Sequence, residues 1–312
     1  MVCNNEAPRI LLTGKDGQLG YALKRALAPL GEVFAIGRSD CDLTNTDAIR
    51  AMVAVIRPDI IVNPAAYTGV DKAETEREVA FAVNATAPGV LAQEALKIGA
   101  LLVHYSTDYV FDGRKQGVYV EQDTASPQSV YGISKLAGEE AIRSVHTRHL
   151  ILRTSWVFGV HGANFLKTIL RLAGECDSLR IVADQIGAPT SATLIADVTA
   201  DMLGQYWHDH DTADNPGRLT TFHLTAGGET SWHGYAKFIV STALQMGMSM
   251  KLRPDEISPI FTDEYPLPAR RPANSRLNTD KLKSAFNIVL PDWQEGVIDV
   301  LNQLKNCRPK MP

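Results

Sequence analysis

The sequence predicts an α/β fold: a Rossmann-type, doubly wound parallel sheet followed by a smaller C-terminal domain. Three features carry this. Short Val/Ile/Leu-rich runs alternate with helix-period patterns through the first half of the 312 residues. Those runs are continuously apolar, as strands buried on both faces are. The first run ends in a glycine-spaced turn that opens a helix.

Residues 9–14 (RILLTG), 32–37 (EVFAIG), 59–66 (DIIVNPAA), 101–108 (LLVHYSTD) and 149–159 (HLILRTSWVFG) read as strands. Helical spacing fills 18–29, 46–56, 76–99 and 130–145 between them. From about residue 154 the rhythm loosens into a helix at 163–174, a strand at 179–184 and a helix at 191–207. The run TTFHLTA (220–226) reads as one more strand, returning the chain to the first sheet. Helices near 231–246, 279–286 and 293–305, joined by Pro-rich connections, complete the pattern. The expected division is residues 1–153, with 191–228 returning, against 154–190 plus 229–312.

A net charge of −4 gives no basic field for nucleic acid. The N-terminal MVCNNEAPR lacks the apolar core of a signal peptide, and no run is long and apolar enough for a membrane span, so a cytoplasmic protein is expected. Cys3, Cys41, Cys176 and Cys307 are scattered, which fits reduced thiols rather than a disulfide framework or zinc site. His208 and His210 fall in the polar stretch HDHDTADNPGR, read as a solvated loop.

TGKDGQLG places Gly14, Gly17 and Gly20 at the end of the first strand. Glycine permits the sharp turn, the approach of a pyrophosphate to the backbone and close helix–strand contact, while the helix start offers free N–H groups. A dinucleotide is the expected ligand. At the end of strand two, where an acid would favour a free ribose 2′-hydroxyl, the chain has Gly37, Arg38 and Ser39. A guanidinium beside a hydroxyl suits a 2′-phosphate, so NADPH is expected over NADH, with NADH still usable. Asp42 and Leu43 follow, where they could face the adenine.

Strand four delivers Ser106, Thr107 and Asp108 to the carboxyl edge of the sheet. Tyr131 and Lys135 stand four apart on the next helix and so share a face. With nine tyrosines in the chain that spacing alone is a weak signal. Beside a nicotinamide and a hydroxyl it becomes a ketone-reduction site. The phenol supplies a proton, a neighbouring cation brings its pKa towards use, and Thr107 orients the carbonyl. Near the C-terminus, PLPARRPANSRLNT brings Arg270, Arg271 and Arg276 together; Arg276 is the candidate for a diphosphate.

The motifs GKDGQLG, NPAAYTGVDKAE, VHYSTDYVFDG, YGISKLAGE, RTSWVFG, DQIGAPT and RRPANSRLNT run through nearly the whole chain. On them the sequence resembles the extended short-chain dehydrogenase/reductases. It is most similar to the members that reduce the 4-keto group of dTDP-4-dehydro-6-deoxy-L-mannose to dTDP-L-rhamnose with NAD(P)H, in polysaccharide biosynthesis. The resemblance implies Tyr131 as catalytic acid with Lys135 its partner, both also touching the cofactor. It implies Thr107, Asp108 and Trp156 against the sugar, and Gly17, Gln18, Leu19, Asp42, Leu43, Ala65, Ala66, Tyr67 and Thr68 along the cofactor. The 154–190 and 229–312 segments would then hold the sugar nucleotide. Some relatives carry an acid at the position of Gly37, and some bind magnesium at a dimer contact through glutamates. Ala22 and Thr193 occupy two of those glutamate positions, so magnesium, and a homodimer built on it, lose their usual support.

Two alternatives stay open. A sugar-nucleotide dehydratase or epimerase shares the fold, but dehydratases place Asp-Glu where this chain has Asp108-Tyr109. A non-catalytic regulatory subunit, similar to the β subunit of methionine adenosyltransferase, would not need Thr107, Tyr131 and Lys135 intact.

Overall fold

The structure is a computed structural model that describes residues 7–146, 148–208 and 219–307. Cys3 and nearly all of the expected 208–218 loop lie outside the described residues. The first half runs β1 (Arg9–Leu12), α1 (Gln18–Leu27), β2 (Glu32–Ala35), α2 (Thr46–Ile56), β3 (Ile60–Asn63), α3 (Val70–Ala73), α4 (Arg77–Phe81), α5 (Ala87–Ile98), β4 (Leu101–Thr107), α6 (Val130–Val145) and β5 (His149–Thr154). The second half adds β6 (Val157–Phe158), α7 (Phe165–Glu175), β7 (Leu179–Val182), β8 (Ile186–Gly187), β9 (Thr190–Ser191), α8 (Ala192–His208), β10 (Thr221–His223), β11 (Thr230–Ser231), α9 (Trp232–Gln245), β12 (Ile257–Ile260), α10 (Asp280–Phe286) and α11 (Trp293–Cys307).

Among the described residues the main sheet has the order β10-β5-β4-β3-β1-β2, every pair parallel. The chain leaves β1 towards β2 on one side and β3 on the other, so the crevice opens at the carboxyl ends there. One face packs β-strand residues Ile10, Leu12, Val62 and Leu152 against Leu23 and Leu27 of α1 and Ile195 and Met202 of α8. The other packs Leu11, Ile61 and Leu102 against Ile49, Val53, Leu91 and Ile142. Strands buried on both sides are the reason these runs lack alternation. A separate core gathers Phe158, Leu166, Ile169, Tyr235, Ile239, Trp293 and Val297 from α7, α9, α11 and β6. Two side-chain bonds clasp it to the glycine turn: Asn164 Nδ2 donates to Gln18 Oε1 at 2.9 Å, and His161 Nε2 lies 2.9 Å from the Asp16 carbonyl. No helix among the described residues is long and apolar enough to cross a membrane.

The structure differs from the sequence reading in several elements: α3, β8, β9, β11 and β12 fall where none is expected. The helix expected over 76–99 is broken by a π-helical turn, Ala82–Thr86, between α4 and α5. The wide turn lets Asn84 reach inward, where its carboxamide accepts from Tyr67 N at 2.8 Å and donates to Tyr67 O at 3.1 Å. The strand expected over 149–159 divides at Trp156, whose φ of +48° is left-handed. The strand expected over 220–226 spans only Thr221–His223.

Candidate active site

The glycine turn is closed by steric demand. Gly14 has φ +60°, and a Cβ there would stand 3.0 Å from Ala65. A Cβ on Gly20 would stand 2.0 Å from the Gly14 carbonyl oxygen. The first turn of α1 therefore presses onto the loop, with Gly17 as its N-cap and no side chain over the helix end. Gln18 faces the second unit, and Leu19 packs against the α1/α8 core. This is a cradle that side chains would fill, and its free N–H groups fit a pyrophosphate.

At the end of β2, Arg38 and Ser39 are exposed. Beside them Lys15 Nζ donates to Asp40 Oδ2 at 2.5 Å, and Gly37 N donates to the same oxygen at 2.8 Å. Asp42 is exposed and accepts from Thr44 N, while Leu43 packs on the α2 side of the sheet. After β3, Ala65, Ala66 and Tyr67 are half-buried and Thr68 is exposed. Asn84 fixes the Tyr67 backbone, and the Tyr67 hydroxyl donates to Glu76 Oε2 at 2.6 Å. The dinucleotide candidates thus line three adjacent loops at one sheet edge.

Thr107 ends β4, and its Oγ1 donates to Asp108 Oδ1 at 3.0 Å and accepts from Tyr109 N at 3.2 Å. Ser129 caps α6 through Gly132 N, which starts the helix so that the Tyr131 phenol stands beside Thr107. The Tyr109 ring stands edge-on to that of Tyr131, with centroids 5.4 Å apart. Burial pushes the Tyr131 phenol up to about 12, against the Thr107 hydrogen bond, which lowers it. Asp108 is buried, its Oδ2 lacks a partner among the described residues, and burial raises its carboxyl to about 6 against the lowering effect of Ser275 and Thr107 beside it.

One turn further, Lys135 is fully buried, and its ammonium donates to Tyr105 O at 2.6 Å and lies 3.2 Å from His104 Nε2. These are its hydrogen bonds among the described residues; none runs to Tyr131. Burial lowers Lys135 to about 8, and Glu139 pulls it upward. Glu139, next on the same helix face, is held by Arg153 Nε at 2.8 Å and Nη2 at 2.7 Å and by Arg143. Burial alone would raise the Glu139 carboxyl, yet the two guanidinium groups keep it below its ordinary value.

Trp156 stacks on Trp232, centroids 3.7 Å apart and planes at 14°, and crowds Gly187, where a Cβ would meet its ring at 2.8 Å. Arg276 gives Nε to Asn274 Oδ1 at 2.8 Å, Nη2 to Gln116 O at 2.5 Å and Nη1 to Glu229 at 3.4 Å. Its fork is committed to the protein. Arg271 instead pairs through Nη2 with Asp71 at 2.6 Å, keeps Nη1 buried without a partner among the described residues and acts on Tyr109. Ala22 and Thr193 line a groove of about 790 Å³ between α1 and α8, with Asp197 and Asp201. No group of three His, Cys, Asp or Glu side chains that could hold a metal occurs among the described residues.

The sequence reading assigns no site role to Lys15, Asp40, Asn84, His104, Glu139, Arg153 and Ser275. Only Glu139 had a local signal, the continuation of the four-residue spacing from Tyr131 and Lys135. The others arrive from separate elements.

The family described as the RmlD substrate binding domain matches residues 8–306. A dTDP-4-dehydrorhamnose reductase of Shigella flexneri is 46% identical over 299 residues, 95% of this chain and 97% of that one. The crystal structure of a dTDP-4-dehydrorhamnose reductase from Clostridium acetobutylicum superposes with a TM-score of 0.85 at 34% identity, covering 95% of this chain and 99% of that one. One from Bacillus anthracis, solved in complex with NADP, does so at 0.84 with 34% identity and the same coverage.

Proposed function

The chain belongs to the dTDP-4-dehydrorhamnose reductase family, and from that premise we propose how its own residues reduce the 4-keto group of dTDP-4-dehydro-6-deoxy-L-mannose to dTDP-L-rhamnose. The observation that carries the reading is Thr107 against Tyr131 at the carboxyl edge of β4, with Lys135 buried one turn below. Bound NADPH supplies the hydride that adds to C4. Thr107 hydrogen-bonds the carbonyl and orients it, and Tyr131 gives its phenolic proton to O4 as the C–O π pair moves to that oxygen. Lys135 stabilises the phenolate that remains.

The cradle of Gly14, Gly17 and Gly20 and the N–H groups of α1 hold the pyrophosphate, and Ala65 to Thr68 flank the cofactor. Arg38 and Ser39, with Lys15 beside them, receive the 2′-phosphate. Asp108 and Trp156 face the sugar. Arg271, with its free Nη1, is better placed than Arg276 to take the diphosphate. Tyr109, packed on Tyr131 where a dehydratase has a second acid, supports reduction over elimination.

The test is NADPH oxidation on addition of the dTDP-4-ketosugar, with product stereochemistry read by NMR. Tyr131→Phe should lose roughly two to four decades of turnover with NADPH binding unchanged. Parental turnover in that variant, or no oxidation by the parent, overturns the reading.

A further inference from the structure

The segment after β3, residues 67–76, is acidic, and three of its acids are bonded to three different parts of the site. Glu76 Oε2 accepts from the Tyr67 hydroxyl at 2.6 Å, in the loop expected along the cofactor. Glu74 Oε1 accepts from Val130 N at 2.9 Å, and Val130 begins α6, the helix that carries Tyr131. Asp71 reaches the C-terminal arm, where its Oδ1 accepts from Ala269 N at 3.1 Å and its Oδ2 from Arg271 Nη2 at 2.6 Å.

This segment is firmly seated. Asn84 fixes the Tyr67 backbone through two bonds, and Ala73 of α3 is buried with Ala80 and Val130, against which Tyr67 and Tyr131 pack. Asp71, on α3, therefore takes its position from the cofactor-side loop and the catalytic helix. The arm it holds has a second fastening beyond Arg271. Pro272 presses on Gly113, where a Cβ would stand 2.5 Å from the proline ring, and Asn274 N donates to Gly113 O at 3.1 Å. Arg271 lies between these two fastenings.

An arginine that meets a diphosphate loses rotamer freedom on binding unless the protein has already aimed it. With Nη2 on the Asp71 carboxylate, the planar guanidinium has a fixed orientation. Its Nη1, buried without a partner among the described residues, is left for a ligand oxygen. The Asp71 and Arg271 side chains are 37% and 17% exposed, so water and salt screen the pair only in part.

We infer that Asp71 is a positioning residue: it presents Arg271 to the diphosphate and, standing on the loop that flanks the dinucleotide, couples the binding of the two ligands. The inference rests on the reading above, in which Arg271 takes the diphosphate and Ala65 to Thr68 flank the cofactor. Such coupling is reciprocal, so each ligand tightens the other by the same factor.

Titration calorimetry on the full chain measures dTDP binding, alone and with saturating NADP+. In the parent, NADP+ should tighten dTDP several-fold. Asp71→Asn offers one accepting oxygen where two are used, so one fastening is lost. With NADP+ present, its dTDP dissociation constant should rise roughly tenfold, as for one charge-assisted bond. The response to NADP+ should vanish, while NADP+ alone binds as in the parent and so reports an intact fold. Added to Arg271→Gln, Asp71→Asn should weaken dTDP no further, because Asp71 acts through Arg271. Asp71→Glu, which keeps the charge and both accepting oxygens, should bind dTDP more nearly as the parent does. Parental dTDP affinity in Asp71→Asn beside a weakened Arg271→Gln overturns this inference alone, as do additive losses in the double variant or an equal loss of NADP+ binding. Indifference of the parent's dTDP binding to NADP+ overturns the coupling. Parental dTDP affinity in Arg271→Gln overturns the assignment of the diphosphate to Arg271, and this inference with it.

Discussion

Glu139→Gln removes one charge from the most enclosed ion pair of the site. The carboxylate is fully buried, with Arg153 on it through two bonds of 2.8 and 2.7 Å and Arg143 from the next turn. Arg153 exposes 4% of its side chain, and its Nη1 already lacks a partner among the described residues. Arg143 exposes 37% and can turn to water; Arg153 cannot. Removing one partner of a buried pair costs about 3–5 kcal/mol, and with one arginine able to re-solvate the lower end applies. At roughly 2 °C per kcal/mol for a chain of this size, Tm should fall by about 6 °C at neutral pH. Because the Glu139 carboxyl is held below its ordinary 4.5, its contribution is present above that value and lost as pH falls through the folded value. The gap between parent and variant should therefore close on acidification. Replacing both partners by methionine should cost less than Glu139→Gln alone, since no guanidinium is left stranded. Scanning calorimetry across pH measures all three. A neutral-pH Tm within about a degree of the parent, or a gap that persists into strong acid, would refute the assignment of stability to this pair.

Three further outcomes are expected. Asp108, raised from 3.8 to about 6, contributes most while protonated, below 3.8, and loses that contribution as pH rises through its folded value. Asp108→Asn should thus melt above the parent at neutral pH, with the difference vanishing near pH 4 in thermal shift; a constant difference would count against burial as the cause. Arg271→Gln should raise KM for the dTDP-sugar by roughly tenfold, the worth of one charge-assisted bond, while Arg276→Gln should mainly lower Tm; the reverse pattern would return the diphosphate to Arg276. Arg38→Ala should cut the ratio of kcat/KM for NADPH over NADH by roughly tenfold at low salt. Gly37→Asp should impair both cofactors, because its Cβ would lie 2.0 Å from the Asp16 carboxylate; a clean switch to NADH would show that Asp16 moves aside.

The parallel sheet was legible because strands β1, β3, β4 and β5 carry Ile/Leu/Val runs buried on both faces, and Gly14 and Gly20 are demanded by contacts that any such turn must make. Tyr131, Lys135 and Thr107 could be read from spacing and strand position. What escaped depends on contacts between distant segments. The π turn at Ala82–Thr86 has no compositional mark, since its purpose is to carry Asn84 to Tyr67. Trp156 takes a left-handed conformation that no sequence rule assigns to tryptophan. Arg276 carries the right charge, yet Asn274, Gln116 and Glu229 use its donors. The four-residue spacing turns Lys135 towards the phenol, whereas its bonded donors point into the sheet.

The second core draws on residues from Phe158 to Ala173, from Ala226 to Ile257 and from Trp293 to Leu301, while α8 and β10 between them serve the main sheet. No cut between Phe158 and Trp293 leaves the second core within one contiguous fragment, and Asn164 and His161 fasten that interior to the glycine turn. Recombination, which exchanges contiguous blocks, would therefore divide the second interior at any crossover between Phe158 and Trp293. Selectivity for a different sugar in such a chain has to arise residue by residue along the cleft, and libraries aimed at new donors should be built from point changes rather than chimaeras.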